Sequence, residues 1–562
     1  MLLLASRRAV ASVGSLAVMP SLSLLLLLVH MITIADASPE AASPDFVIVG
    51  GGTAGCTIAA RLCSRVQTAS VVVLERGVPR SPQSELLMRA ARNIGRTWED
   101  PNLSQTFQSE PDPSMAGQRQ EIIDANTLGG ASSINAMQWG IPLGNKEGRW
   151  GIRGLSSRVA KRFYRRAYRK VGFAQQPQSL RQLYGDEYAD AASRTRFTRE
   201  FSPFKTSLRE AVWEMAVAVT PSGRRIDSCT AYLKPVLNGR CRRNLRLIQG
   251  TTVTRVLLDN STVPRAIGVE YVDSKDTRLT NKNVLLASKE VILSAGPFGS
   301  PKLLQLSGIG PRSHLQAANV ETRVDLPVGQ RTQSRALGFV SSQYYKGQPL
   351  EPSNNSTILN GPETLRSWRR RQPSVLGSTG FATMAVLKDI GYVPMSTAND
   401  ATTLDERILQ SFCLTNPTSY GYLRILDGDP FSTPKVLLNA LGSRTDVNRM
   451  RTCLERFVRV HRNLPASFQL ETTCPAPDFN DTQLRQRTSF SLHFVGGCRV
   501  GAVVRSDLSV KGVEGLRVVD SSVFRSMPVS AGPMASTYML AEFVADKLAK
   551  MYARGVRRKS VW

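Results

Sequence analysis

Short apolar, β-branched runs punctuated by glycine set the framework of this chain. Phe46-Val47-Ile48-Val49 follows Asp45 and reads as a strand buried on both faces. The turn Gly50 to Gly55 interrupts it, Cys56 to Val66 reads as a helix, and Ser70 to Leu74 is a second strand. Leu245 to Gly250 and Thr251 to Leu258 are β-rich, and Val291 to Ala295 is a further buried strand. Lys302 to Leu306 begins a helix that stops at Ser307-Gly308-Ile309-Gly310-Pro311. Asp446 to Leu464 is a helical run, Gly515 to Ser522 is strand then turn, and Met539 to Met551 is an amphipathic closing helix.

The first of these units carries candidate chemistry. Gly50, Gly52 and Gly55 fit G-x-G-x-x-G between a strand and a helix. The first glycine permits the tight turn and the second lets a pyrophosphate approach the backbone. The third lets helix and strand pack closely, with the helix N-terminus facing the phosphates. Glu75 ends the second strand twenty residues past Gly55, placed to accept hydrogen bonds from a ribose. This predicts a dinucleotide site without separating FAD from NAD. A second small-residue loop, Leu128 to Asn135, is suited to bring backbone N–H groups against a cofactor.

Composition narrows the class. Of 562 residues, 42% are hydrophobic, near the globular norm, so wholesale disorder is excluded. Lys and Arg number 72 against 44 Asp and Glu, a formal charge of +28. The cations cluster at 158–170, 240–246, 366–371 and 554–559, the first reading as a basic amphipathic helix. No nucleic-acid module accompanies them, so no nucleic-acid partner is expected. An acidic polysaccharide or a membrane surface is the expected counter-charge.

The N-terminus explains where such a surface would be met. Arg7 and Arg8 precede an uncharged stretch, dense and apolar from Leu22 to Ala35, before Ala35-Asp36-Ala37. Residues 1–37 read as a secretory signal peptide, which makes the protein extracellular or cell-wall; an uncleaved membrane anchor is the alternative. Sequons at Asn102, Asn260, Asn354, Asn355 and Asn480 predict a glycoprotein. Eight cysteines permit disulfides, with Cys229–Cys241 and Cys453–Cys474 as the pairs read. No metal-site motif is present, and none is expected.

The stretches DFVIVGGGTAGC, VVVLERG, LGGASSIN, VILSAGPFGSPKLLQLSGIGP, LHFVGGC and GLRVVDSSVF, in this order over about residues 44–553, resemble the glucose–methanol–choline (GMC) family of FAD oxidoreductases. GGTAGC and SLHFVGGCRVGAVV look most like its plant HOTHEAD and mandelonitrile-lyase branch. The resemblance implies an α/β fold. An FAD-binding Rossmann-like domain would be assembled from discontinuous segments 44–140, 225–330 and 488–553. Residues 141–224 and 331–487 would form an α+β substrate domain, an antiparallel sheet backed by helices, with 346–379 as a surface loop or lid and 554–562 as a basic tail. FAD is the implied cofactor. Thr53, Ala54, Glu75 and Arg76 would contact its ADP half. Gly129, Gly130, Ser132, Asn135 and Ala136 would lie near the isoalloxazine and pyrophosphate. Val253 would hold the adenine through its backbone, and Leu492, Asp520, Ser521, Pro533 and Met534 would flank the flavin.

Four histidines occur, at 30, 314, 461 and 493. His314 and His461 sit among polar neighbours and read as surface residues. The apolar context of His493 alone reads as a satisfied core histidine. The resemblance makes it the active-site base, taking the hydroxyl proton of a small-molecule alcohol while the flavin is reduced. In a hydroxynitrile lyase the same histidine would take a cyanohydrin proton. One departure bears on both: the family usually has a second His or Asn where this chain has Gly532, so a flavin-binding protein with reduced catalysis is a third reading.

Overall fold

A computed structural model describes residues 43–140, 150–175, 185–199, 210–239, 241–344, 366, 368–370, 381–387, 391–397, 408–474, 476–528 and 532–553. In chain order, β1 (Phe46–Val49), α1 (Thr53–Arg65) and β2 (Val71–Glu75) open the fold. Helix α2 (Ser157–Val171) follows, then β3 (Leu245–Gln249), β4 (Glu290–Leu293) and α3 (Gly296–Leu306). Strands β5 (Ala336–Tyr344) and β6 (Ile408–Thr415) precede α4 (Arg444–Arg462); β7 (Leu516–Val518) and α5 (Met534–Ala553) close the chain.

The first sheet is wholly parallel, in the order β3-β2-β1-β4-β7. Strands β1, β2, β4 and β7 are buried at every residue, with α1 packed on β1 and β2 and the strand Ala266–Asp273 packed against β4. Its five strands come from three stretches of sequence some 170–220 residues apart by their numbers, which is the discontinuous Rossmann-like arrangement expected.

The second sheet is largely antiparallel. Strand Phe468–Cys474 flanks β5, β5 pairs with β6, and the sheet extends from there through 391–397 and 381–387 to Ala211–Glu214 and Thr198–Arg199. Helix α4 backs it, burying Val447, Met450, Leu454, Phe457 and Val460 in a core separate from that of the first sheet. Two layer systems result, one built for a dinucleotide and one an antiparallel sheet backed by a helix.

Several expectations are corrected. The closing helix begins five residues earlier, at Met534, and is buried around most of its circumference rather than amphipathic. It is wedged between α1 and α2, where Glu542, fully buried, takes the Arg61 guanidinium at 2.5 Å and the Tyr232 hydroxyl at 3.0 Å. The disulfides are Cys63–Cys241 and Cys413–Cys453, not Cys229–Cys241 and Cys453–Cys474. Helix α1 packs beside the segment that starts at Cys229, which brings Cys63 to a partner 178 residues away, while Cys229 remains a buried free thiol. The signal, the basic tail and nearly all of the 346–379 loop lie outside the described residues.

His461 is not a surface residue. It is 2% exposed, on the face of α4 that meets the second sheet, with His314 only half-buried by contrast. Its Nδ1 and Nε2 are each 2.7 Å from a serine hydroxyl, Ser342 on β5 and Ser411 on β6. The polar neighbours in sequence face solvent; the histidine faces the sheet. Burial pushes its pKa down to about 3. The unfolded chain therefore takes this proton first, and stability present above an unfolded pKa near 6.5 is lost as pH falls toward 3. Lowering pH from 7 to 5 is expected to cost about 2 kcal/mol through His461. Urea unfolding at both pH values checks this: His461→Gln should shrink the pH-dependent loss by that amount, whatever its effect at pH 7.

Candidate active site

The site is a cleft of 640 Å³ above the C-terminal ends of the parallel strands. Its floor is made by two glycine turns pressed together. Gly50 adopts φ +96°, and a Cβ there would lie 2.6 Å from the Ser294 carbonyl oxygen. Gly130 adopts φ +54° with its Cα against Gly52, so close that a Cβ would come within 2.8 Å of it. The Gly129 N–H donates to the Gly51 carbonyl at 2.7 Å and fixes one turn to the other. Above Gly52 the space is open: a Cβ added to it would meet nothing nearer than 3.8 Å. Helix α1 starts there with no side-chain cap and no acid in its first turn. Uncapped N–H groups at a helix start favour an anion, which fits the pyrophosphate of a dinucleotide.

Gly50, Gly52, Thr53, Ala54, Glu75, Arg76, Gly130, Asn135, Ala136, Val253, Leu492, His493, Asp520, Ser521, Pro533 and Met534 all line this one cleft. Gly55, Gly129 and Ser132 do not. Gly55 packs α1 on the Gly50 carbonyl, and the Ser132 hydroxyl turns inward to donate to Gly129 at 2.7 Å and accept the Ser228 N–H at 2.9 Å. Those three shape the turns rather than face the cavity.

The carboxylates are organisers as much as ligands. Glu75 accepts the Gly51 N–H at 2.7 Å and the Gly77 N–H at 2.8 Å, and burial holds its pKa above the usual range despite both. Asp520 accepts from Gly296 N–H at 2.9 Å, from the Ser300 hydroxyl at 2.6 Å and from Ser522. It thereby ties the turn after β7 to the start of α3, and burial again raises its pKa. Arg76 donates to Asn126 at 3.0 Å at the rim.

Three supporting residues went unread in the sequence. Arg225, fully buried, donates to the carbonyls of Met88 at 3.0 Å and of Asn135 at 2.5 Å. Burial lowers its pKa to about 9. Arg80 braces the second turn through the Leu128 carbonyl, the Ser133 hydroxyl at 2.9 Å and the buried Asp227 at 3.3 Å. None lies in a recognisable motif, so only the folded packing brings them to the loop.

His493 lines the cleft with Phe298, whose ring is 4.6 Å from that of the neighbouring Phe494. Its side chain is half-buried and lines the cavity. Burial, and then the charge of buried Arg335, push its pKa down to about 3. Its Nδ1 has no hydrogen-bond partner among the described residues. Gly532 lies directly against the other side of the ring: a Cβ there would fall 2.7 Å from His493 Nε2. Gly532 brings no side chain to this point, and among the described residues the His493 ring stands closest to where one would project.

Two segments match the GMC oxidoreductase family, residues 44–336 its N-terminal part and 417–541 its C-terminal part. The chain is 27% identical to oxygen-dependent choline dehydrogenase of Vibrio vulnificus, over 92% of this chain and 96% of that one. It is 26% identical to glucose dehydrogenase [FAD, quinone] of Drosophila melanogaster, over 91% of this chain and 87% of that one. A formate oxidase variant from Aspergillus oryzae superposes with a TM-score of 0.78 at 19% identity, covering 92% and 99% of the two chains, which shows the fold.

The contact between Gly532 and His493 is open to test. Gly532→Ala should displace the His493 ring and lower turnover by roughly tenfold or more, since catalytic geometry tolerates little misplacement. Cofactor content, read from visible absorbance, should be unchanged; equal turnover in the variant would show that the ring is free to move aside.

Proposed function

The chain belongs to the GMC oxidoreductase family and binds FAD, and from that premise we propose that it oxidises the CH–OH group of an alcohol with His493 as the base. The observation that carries this is the placement of His493 in the same cleft as the two glycine turns. FAD, when bound, would supply the two-electron acceptor for the carbinol hydrogen. Thr53, Ala54, Glu75, Arg76 and Val253 would hold its ADP half, and Asn135, Ala136, Asp520, Ser521, Pro533 and Met534 the remainder.

On this reading the substrate hydroxyl meets the His493 imidazole from the cleft and gives its proton to a ring nitrogen. A base with so low a pKa accepts a proton reluctantly, so the transfer must be coupled to loss of charge elsewhere in the same step. The field of Arg335 works in that direction, disfavouring imidazolium but favouring a developing alkoxide. The paired rings of Phe107 and Phe298, 5.4 Å apart, line the cleft and support an apolar substrate, a long-chain or aromatic alcohol.

Anaerobic mixing with such alcohols should bleach the flavin, and His493→Ala should slow bleaching by about 10²-fold or more with FAD retained. Because His493 is neutral far below pH 6, the rate should stay level from pH 8 to pH 5. Undiminished bleaching in the variant would falsify the assignment. Cyanide release from mandelonitrile without bleaching would instead select the lyase, and a flavoprotein inert to both would select the reduced-catalysis reading.

The protein is further proposed to be secreted after loss of residues 1–37. Two disulfides and the exposed sequon residues Asn102, Asn260 and Asn480 support an oxidising, glycosylating route. Sequencing of the protein recovered outside the cell should start at Ser38; a start at Met1 would favour the anchor.

A further inference from the structure

Helix α2 carries seven cations and no acid in fifteen residues. Its apolar side, Ala160, Phe163, Tyr164, Ala167 and Val171, is buried, with Phe163 packed edge-on against Phe543 of α5. The outer side exposes Arg158, Lys161, Arg162, Arg165, Arg169 and Lys170. Arg158, Arg162, Arg165 and Arg169 follow each other at spacings of three and four, one stripe about 16 Å long.

The surroundings add positive charge. Two acids of α5 face this region, Glu542 and Asp546, and both are already engaged. Arg61 and Arg166 reach Glu542, while Arg65, Arg166 and Lys550 reach Asp546. Burial and the charges of Lys550 and Arg162 hold the Lys547 ammonium below its ordinary pKa, and burial with Arg61 does the same at Lys170. Like charges one turn apart also oppose helix formation. Such crowding is relieved by a ligand that brings negative charge in a line.

We propose that the exposed stripe of α2 binds a linear acidic polysaccharide. Three properties of the surface choose this among polyanions. The apolar side of the helix packs inside the protein, with only Val159 and Tyr168 half-buried at its margin, so it offers no apolar face to a bilayer. The exposed large hydrophobics among the described residues, Val263, Ile267, Val284, Leu286, Leu426 and Leu470, include no aromatic on which bases could stack. What remains is a row of guanidinium groups, suited to paired hydrogen bonds with repeated carboxylates or sulfates.

The test uses the flavin-loaded full chain and a fluorescent oligogalacturonate. Arg158→Gln, Lys161→Gln, Arg162→Gln and Arg169→Gln are combined in one variant; glutamine keeps helix propensity. A control removes as many exposed cations elsewhere, at Arg242, Arg243, Arg246 and Arg278. The α2 variant should bind roughly tenfold or more weakly, with a shallower salt dependence, and the control by less than about twofold. Unchanged visible absorbance and melting temperature verify the fold of both. Equal weakening in the two variants would reduce the effect to net charge and overturn the site. Tighter binding of phosphatidylglycerol vesicles, or of a DNA duplex of matched charge, through the same four residues would overturn the choice of partner.

Discussion

The close approach of two turns, Gly52 against Gly130, is the constraint around which this molecule is organised. Backbones in contact at that distance leave no room for side chains, and they leave an uncapped helix start facing a cavity. The rest of the fold serves to hold that arrangement. Strands β1 and β4 set the first turn, with Ser294 behind Gly50, and Arg80, Arg225 and Asp227 set the second from below. Buried arginines are costly unless their donors are met. Here much of that donor capacity is directed at the carbonyls and hydroxyls of loop 128–135, so their burial stabilises one loop conformation rather than the core at large.

The C-terminal segment is tied in by the same kind of contact. Arg517 on β7 makes a paired contact with Glu290 on β4 at 2.8 and 2.9 Å, and the Tyr552 hydroxyl of α5 reaches the same carboxylate at 2.9 Å. One buried acid therefore joins the edge strand, its neighbour and the closing helix. Asp520, two residues past β7, then reaches across to α3. Loops separated by hundreds of residues converge on the cleft because each is anchored by one such polar contact.

How much of this could be read beforehand follows from the range of the interactions. The strand–turn–helix at 45–66 was legible because its signals are local: β-branched residues, spaced glycines and an acid at the next strand end. The cleft-lining residues came largely from the family resemblance, and nearly all do meet in one cavity. His461 was illegible because burial there is decided by which face of α4 meets the second sheet, not by its polar neighbours in sequence. The Cys63–Cys241 pair was hidden for the same reason, its partners being brought together by packing between α1 and a distant segment. The closing helix looked amphipathic because Glu542 and Lys547 are polar, yet Glu542 is buried in partnership with Arg61 and Tyr232.

The electrostatics at His493 connect fold to chemistry. A histidine with an unpartnered Nδ1, pressed by Gly532 on one side and within the field of Arg335, cannot hold a proton for long at neutral pH. An acidic partner on Nδ1 would have raised its basicity, as in sites where a carboxylate orients the ring. On the proposed reading, with no such partner among the described residues, the charge that favours proton transfer comes from the substrate as the O–H bond breaks. Proton transfer and oxidation of the carbon are then linked, since neither a free alkoxide nor a lasting imidazolium is favoured alone. Gly532 fits this linkage, since it brings no side chain of its own against the His493 ring. The rings of Phe107 and Phe298, which line the same cleft, fit the apolar alcohols proposed as substrates.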